Sequence, residues 1–316
     1  MIKNFIGGCI IAALALAVHA QGYPSGPISL VIPLAAGDAT DTAARAIAEE
    51  LARELKTPVV PVNRPGAGGA LGTDLVVKAA KDGYTIILTN NAALVFRAII
   101  DPQVASYDPL KDLTPLALAM RTPSILAVGA EQPLRNFREM IEYAKRSPVR
   151  IGTAGVGSVG HFCVNTISQL TGADITMVPF TGAMPAVTAV RGGHVEGVIL
   201  ALGTMTGHLR SGALRGILIS DKTADFPDIP TLGELGYAER LFGVWTAFFA
   251  PAGVPAEVTS VFVPALERAI RSPAVASRLR PLGMLPDHSP PDRLAAEIRD
   301  EHRRVSEIAK KAGLVK

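Results

Sequence analysis

The residues that could do chemistry in this chain gather where strands give way to helices. Asp38 and Asp41 are paired acids just after the small-residue turn Leu34-Ala35-Ala36-Gly37. Ser158 and His161 stand three apart at a second such place, close enough in a helix to share a face. Around them Gly155-Val156-Gly157-Ser158-Val159-Gly160 matches G-x-G-x-x-G. A third place runs from Thr181 to Ala186. A helix start leaves backbone N–H groups without partners, and they carry partial positive charge. Small side chains let an anion approach them. The shared chemistry is the capture of a small polar or anionic ligand.

Three sharper chemistries compete with capture. The glycine pattern follows a strand and opens a helix, the context of a dinucleotide site. That fingerprint needs an acid at the end of the next strand to hold a ribose. The chain has Val178-Pro179-Phe180 there, and Asp174 precedes the strand. No cofactor is expected. An exported hydrolase using Ser158 and His161 is the alternative enzymatic reading. It requires a third group to orient the base. Ser158 is not in a G-x-S-x-G elbow, because Val156 takes the first glycine place. The plainer roles are an N-capping serine and a wall-forming histidine. Asp38 and Asp41 fit capping and dipole compensation. A metal would need further carboxylates from elsewhere, and none is assigned. His194 and His208 lack ligand spacing.

Strand and helix patterns alternate along the whole chain, which predicts an α/β fold with a largely parallel sheet. Strands are expected at Ile28 to Leu34, Val59 to Asn63, Tyr84 to Thr89, Arg150 to Thr153, Ile175 to Val178, Val195 to Leu200 and Leu214 to Ser220. Helices are expected from Thr40 to Leu55, Ala70 to Ala80, Asn136 to Ser147, Ala256 to Arg271 and Pro291 to Ala312, with one more from the glycine turn through Leu170. In the first helix Ala44, Ile47, Ala48, Leu51 and Leu55 fall on one face. Pro102 to Pro115 reads as irregular surface chain. Apolar runs near 118–128 and 242–250 are long enough to pass between two lobes. Trp245, the lone tryptophan, belongs either to the cleft or to the core.

The first 20 residues read as a secretion signal. Lys3 supplies the positive start, Phe5 to Val18 the apolar core, and Ala17-Val18-His19-Ala20 the small-residue cleavage site near Ala20. The apolar run is too short for an ordinary transmembrane helix. Removing 20 residues from 316 still leaves enough chain for two lobes. Lysine plus arginine (31) nearly balances aspartate plus glutamate (28), and no basic run appears, so nucleic acid is an unsuitable partner. Beyond the leader only Cys163 remains, which excludes an internal disulfide and suits a small core residue.

The chain resembles the extracytoplasmic solute receptors of tripartite tricarboxylate transporters, the Bug family. The resemblance spans nearly the whole exported chain. It rests on Tyr23-Pro24-Ser25-Gly26-Pro27-Ile28, the turn from Pro33 to Asp41, Asn63-Arg64-Pro65-Gly66-Ala67-Gly68-Gly69 and Asp82-Gly83-Tyr84-Thr85. Tyr107-Asp108-Pro109-Leu110-Lys111-Asp112, Gly155 to His161, Val178-Pro179-Phe180-Thr181-Gly182 and Ala250-Pro251-Ala252-Gly253-Val254-Pro255 complete it. It implies a two-lobed periplasmic-binding-protein fold of type II, a Venus flytrap with two crossing strands as hinge. Lobe one would hold residues 25–122 and 246–316, and lobe two 123–245. It implies a periplasmic monomer without catalysis, which delivers a small organic acid to membrane permease subunits. A ligand sensor docking on a membrane receptor stays open beside transport.

The resemblance also implies a binding set. In lobe one it is Leu34, Ala36, Gly37, Asp38, Thr40, Asn90 and Asn91. In lobe two it is Ala154, Gly155, Ser158, His161, Thr181 and Gly182. Asp38 replaces a glycine usual in relatives. Facing a bound carboxylate at about 5 Å and an effective dielectric near 20, it would cost roughly 3 kcal/mol, or about a hundredfold in affinity. Asp38 therefore either turns away as a cap or meets a cationic group on an amine-bearing ligand. Thr181 stands where relatives often carry Lys or Arg, and Leu200-Ala201-Leu202 where they often carry an acid or polar group. Both changes predict a less polar cleft.

Overall fold

The computed structural model describes residues 22–315. The expected signal sequence and its cleavage site lie outside the described residues. Two sheets organise the rest. The first has six strands in the order β11-β4-β10-β3-β1-β2, and the second five in the order β7-β6-β8-β5-β9.

The first sheet is built from β1 (Ile28–Ile32), β2 (Val59–Asn63), β3 (Thr85–Asn90), β4 (Leu113–Thr122), β10 (Val244–Pro251) and β11 (Leu285–Ser289). Its β1, β2 and β3 run parallel, while β10 is antiparallel to β3 and β4. The second sheet holds β5 (Ser124–Gly129), β6 (Val149–Thr153), β7 (Ile175–Pro179), β8 (Gly197–Ala201) and β9 (Leu214–Ile219). Its β6, β7 and β8 are parallel, and β5 is antiparallel to β8 and β9. The sheet is thus mixed in both halves, where the sequence pattern predicts a largely parallel one.

Helices α1 (Ala39–Leu55), α2 (Ala70–Val77), α3 (Arg97–Ile100), α4 (Phe137–Ala144) and α5 (Val159–Thr171) follow the strands. So do α6 (Ala183–Arg191), α7 (Leu202–Arg210), α8 (Ala256–Arg271), α9 (Pro273–Leu279) and α10 (Pro291–Lys311). Helix α1 shows why the pattern folds this way. Asp38 caps its start, and Ala43, Ala44, Ala46, Ile47, Ala48 and Leu51 are buried along one face. Lys56 closes it in a left-handed conformation (φ 53°).

The chain passes twice between the sheets. Strand β4 ends at Thr122 and β5 starts at Ser124, with Pro123 between them. The return runs through residues 220–243 into β10, whose Val244 already pairs with Thr122. Main-chain bonds fasten this region: Ser220 N–H to the Ser124 carbonyl (2.9 Å) and Leu202 N–H to the Pro123 carbonyl (2.7 Å). Residues 102–115 are not irregular throughout, because β4 begins at Leu113.

The two halves share apolar packing beside these crossings. Phe96, in the π-helical turn Ala92–Phe96, meets Phe162 of α5 edge-on with ring centres 4.8 Å apart. Phe242 also meets Phe96 edge-on, at 5.3 Å. Cys163 is fully buried in α5.

Candidate ligand-binding site

Helix α1 begins at the end of the first sheet, after the exposed turn Ala35-Ala36-Gly37-Asp38. Asp38 is the N-cap, its Oδ1 accepting the Thr40 N–H at 2.8 Å. This geometry turns the carboxylate onto its own helix and removes the reason for a cationic group on the ligand. The buried Asp41 carboxylate accepts the Gly37 N–H (2.9 Å) and the Asn63 side-chain amide (2.9 Å). It also pairs with Arg45 at 2.9 Å. Burial works to raise the Asp41 pKa, but the bonds from Arg45, Gly37 and Asn63 together hold it below the ordinary value.

Gly37 is therefore not a free amide donor, contrary to expectation. Its N–H is spent on holding the turn. Leu34 uses its carbonyl on Asn63 (3.1 Å). Among the described hydrogen bonds, the N–H groups of Ala36 and Ala39 have no acceptor.

At the end of β3 the two asparagines part company. Asn90 reaches Thr40 Oγ1 (3.4 Å) and accepts the Ala93 N–H (3.0 Å), so it stands beside the α1 start. Asn91 is completely buried on the other side. It donates to the Gly243 carbonyl and to Glu301, each at 2.9 Å. Asn91 is structural, not a cleft residue. Asn90 ends β3 while Asn91 already has helical backbone angles (φ −60°, ψ −34°), and this turn sends the second side chain away from the cleft.

The glycine corner of the second half is largely satisfied from within. Gly155 donates to Thr153 Oγ1 (3.3 Å), and Gly157 donates to His161 Nδ1 (3.1 Å). Ser158 caps α5, its Oγ accepting the His161 N–H at 3.3 Å. The serine hydroxyl thus meets the main chain of His161, not its imidazole. With Nδ1 accepting, the neutral ring carries its proton on Nε2. Burial lowers the His161 pKa and keeps the ring neutral. This arrangement gives Ser158 no base and does not form the nucleophilic pair of the hydrolase reading. Ala154 is exposed at the same corner. Thr181 is exposed and Gly182 begins α6 with no side-chain cap.

The cavity between the halves lies elsewhere along the cleft. It measures about 190 Å³ and is lined by Ala39 and Thr40 of α1 and by Ala201, Gly203 and Thr204 at the start of α7. Helix α7 has no side-chain cap; its Leu202 N–H is spent on the Pro123 carbonyl, which leaves the N–H groups of Gly203 and Thr204 near the Ala39 N–H of α1 at this cavity. From sequence, Leu200-Ala201-Leu202 signals only lost polarity, whereas in the structure it carries the start of α7. Its signal is strand β8 running directly into a helix whose first turn holds the small residues Gly203 and Thr204.

The floor of the cavity is the crossing pair β4 and β10. Antiparallel pairing sets Val244 opposite Thr122 and Thr246 opposite Met120, and all four line the space. Their neighbours Arg121 and Trp245 face the other way. Arg121 pairs there with Glu297 and Asp287 at 2.6 Å. Trp245 is buried and donates to Glu301 at 2.8 Å, which settles it as a core residue behind the cleft. At the mouth the halves touch. A Cβ added to Gly203 would lie 2.5 Å from the Leu282 carbonyl oxygen. No metal-ligating cluster occurs among the described residues.

Two sheets bridged by crossing strands, with helix starts from each aimed at a shared cavity, define a two-lobed solute-binding protein. The chain belongs to the tripartite tricarboxylate transporter family of receptors, whose model matches residues 43–314. It is 34% identical to Protein BugT of Bordetella pertussis over 96% of this chain and 94% of that one. Among solved structures it is similar to a R. palustris protein with adipate (27% identity, TM-score 0.80, covering 92% of this chain and 98% of that one). It is also similar to MatC from Rhodopseudomonas palustris with bound malate (32% identity, TM-score 0.76, 90% and 99%). The same fold is found in the periplasmic binding protein BugD (28% identity, TM-score 0.77, 92% and 99%). These family members and neighbours are solute-binding receptors, not enzymes.

Proposed function

We propose that this protein is a periplasmic receptor that captures a small organic acid between its lobes and delivers it to the permease of a tripartite transporter. The observation that carries the reading is the cavity between the starts of α1 and α7, one from each half, where the Ala39 N–H has no acceptor among the described residues and α7 has no side-chain cap. Backbone amides there bind a carboxylate without a charged side chain. Thr40 and Asn90 add a hydroxyl and an amide from lobe one, beside Leu34, Ala36 and Asp38 on the rim. Ala154, Ser158, His161, Thr181 and Gly182 form the lobe-two rim. Lobe one comprises residues 25–122 and 246–316, lobe two the intervening chain, and closure is a hinge motion about the crossings. Relatives solved with adipate and malate support a carboxylate ligand.

Export is part of the same reading. The leader is cleaved near Ala20, and the released receptor acts as a monomer. Among the described residues no helix is long and apolar enough to cross a membrane.

Isothermal titration of ligand-stripped protein against organic, aromatic and amino acids tests the proposal. Saturable binding of at least one acid is expected, and silence across the panel from folded protein overturns it. Crosslinking in membranes should capture permease subunits. Capture of a receptor kinase instead would move the protein from transport to sensing.

A further inference from the structure

Resting on the receptor reading, we infer that the basic groove between the lobes, beyond the Gly203–Leu282 contact, is where an acidic external loop of the transporter's membrane subunit docks. The groove is separate from the ligand cavity and, at about 650 Å³, larger. Lobe two supplies Arg210, the last residue of α7, and Lys222 and Asp225 from the chain after β9. Lobe one supplies Ser277 of α9 and Arg280 just after it. Pro281 and Leu285 add an apolar stretch of wall.

Three basic side chains and one acid line this space. Lys222 is held in place, donating to the Pro227 carbonyl at 2.7 Å and pairing with Glu234 at 3.2 Å. Arg210 pairs with Asp225 at 3.4 Å, and both side chains are exposed. The Arg280 guanidinium has no hydrogen bond or ion pair among the described residues. Positive charge therefore remains in excess after the internal pairs are made. Membrane proteins concentrate Lys and Arg in their cytoplasmic loops, so the loops that meet an exported receptor are poor in them. A loop carrying Asp or Glu gives Arg280 its missing partner and competes with Asp225 for Arg210. The concave shape suits a projecting loop rather than a flat lipid surface.

The position of the groove ties docking to closure. Arg280 opens the 3₁₀ turn Arg280–Leu282, and the carbonyl of Leu282 lies against Gly203 in the first turn of α7. Arg210 ends the same helix, about 10 Å further along its axis. Parting the lobes at Gly203 therefore parts Arg210 from Arg280. A loop that needs both arginines docks on the closed receptor and not on the open one. That is the distinction a permease makes before it accepts solute.

The test measures association of the full-length exported receptor with the transporter's membrane subunits in lipid nanodiscs. The receptor is saturated with the best-binding acid of the titration panel. Wild type should associate, and more weakly as salt rises. Arg280→Glu and Arg210→Glu should each weaken association about tenfold or more. Affinity for the acid should stay within about threefold in both variants, because neither residue lines the ligand cavity. Association at wild-type strength in either variant overturns the inference and leaves the receptor reading standing. Equal binding of wild type to nanodiscs of the same anionic lipids without the transporter also overturns it, and makes a lipid surface the partner. If wild type binds an acid but not the membrane subunits, delivery to the permease falls together with the inference. If no acid binds, the receptor reading falls and the inference with it.

Discussion

Glu301 of α10 accepts the indole N–H of Trp245 at 2.8 Å, on the face of the crossing strand that turns away from the cleft. Its other oxygen accepts from Asn91 at 2.9 Å, and Asn91 also holds the Gly243 carbonyl. One carboxyl group thus fastens the C-terminal helix to the end of β3 and to the entrance of β10. The cleft floor is positioned from behind by a network that does not line the cavity.

That network sets a pH dependence. Burial pushes the Glu301 pKa up to about 8, against the donors Asn91 and Trp245, which act to lower it. The folded protein then holds a proton that the unfolded chain releases above its ordinary pKa of about 4.3. Between these values the folded state binds more protons, so stability falls as pH rises from about 4.5 to 8 and levels beyond. Urea unfolding across this range should show the decline. Glu301→Gln should remove it, while costing about 1–3 kcal/mol at pH 5, because its amide N–H faces one of the two donors. An unchanged slope in the variant would assign the decline to another group.

Asp41 produces the opposite limb. Its folded pKa lies below the ordinary carboxylate value. Its contribution is present above the unfolded pKa and is lost as pH falls through the folded one. Asp41→Asn should therefore flatten the acid side of the stability profile below about pH 4. The turn 34–38 should also loosen, because the Gly37 and Asn63 donors lose a charged acceptor. Amide exchange at Gly37 reports this directly, and protection equal to wild type would refute the anchoring role.

Asp38 separates capping from ligand selection. As the N-cap of α1 it bonds Thr40 N–H and does not line the cavity. Asp38→Ala should cost about 1 kcal/mol of stability. Asp38→Asn keeps the cap and should change carboxylate affinity by less than about threefold, since the side chain is exposed and its charge screened. A hundredfold gain for simple carboxylates in the asparagine variant would return Asp38 to the cleft.

Local signals carried most of the fold. Val59–Asn63 and Ala256–Arg271 have the bounds that their patterns predict. The α1 cap and the Ser158 cap could be read as such from residue type and position. What could not be read depends on contacts across the chain. The edge strand β11, Leu-Pro-Asp-His-Ser, alternates poorly and carries Pro286, tolerable only because β4 is its sole partner. Asn90 and Asn91 look alike in sequence, and the direction each takes is decided by where β3 ends and the helical turn begins. The amides of Gly37, Gly155 and Gly157 are spent on Asp41, Thr153 and His161, partners that glycine spacing does not reveal. Thr122 and Thr246 read as ordinary strand residues until β4 and β10 are paired.

The mouth of the cleft offers a direct test of closure. Gly203, at the start of α7, lies against Leu282 and Gly283 from the other half. A Cβ at 203 would sit 2.5 Å from the Leu282 carbonyl oxygen, and a Cβ at 283 would sit 3.0 Å from Gly203 Cα. Backbone atoms on both sides leave no flexible side chain to give way. Neither half alone suffers from the added methyl, because the clash exists only when the lobes meet. Gly203→Ala should therefore leave the melting temperature of the ligand-free protein within about 2 °C of wild type, as small surface changes do. Ligand affinity should fall about tenfold or more, because the lobes can no longer meet at Gly203 and Leu282. X-ray scattering should show the variant with saturating ligand remaining more open than the wild type. Full affinity in Gly203→Ala would mean that binding does not require the lobes to meet at this point.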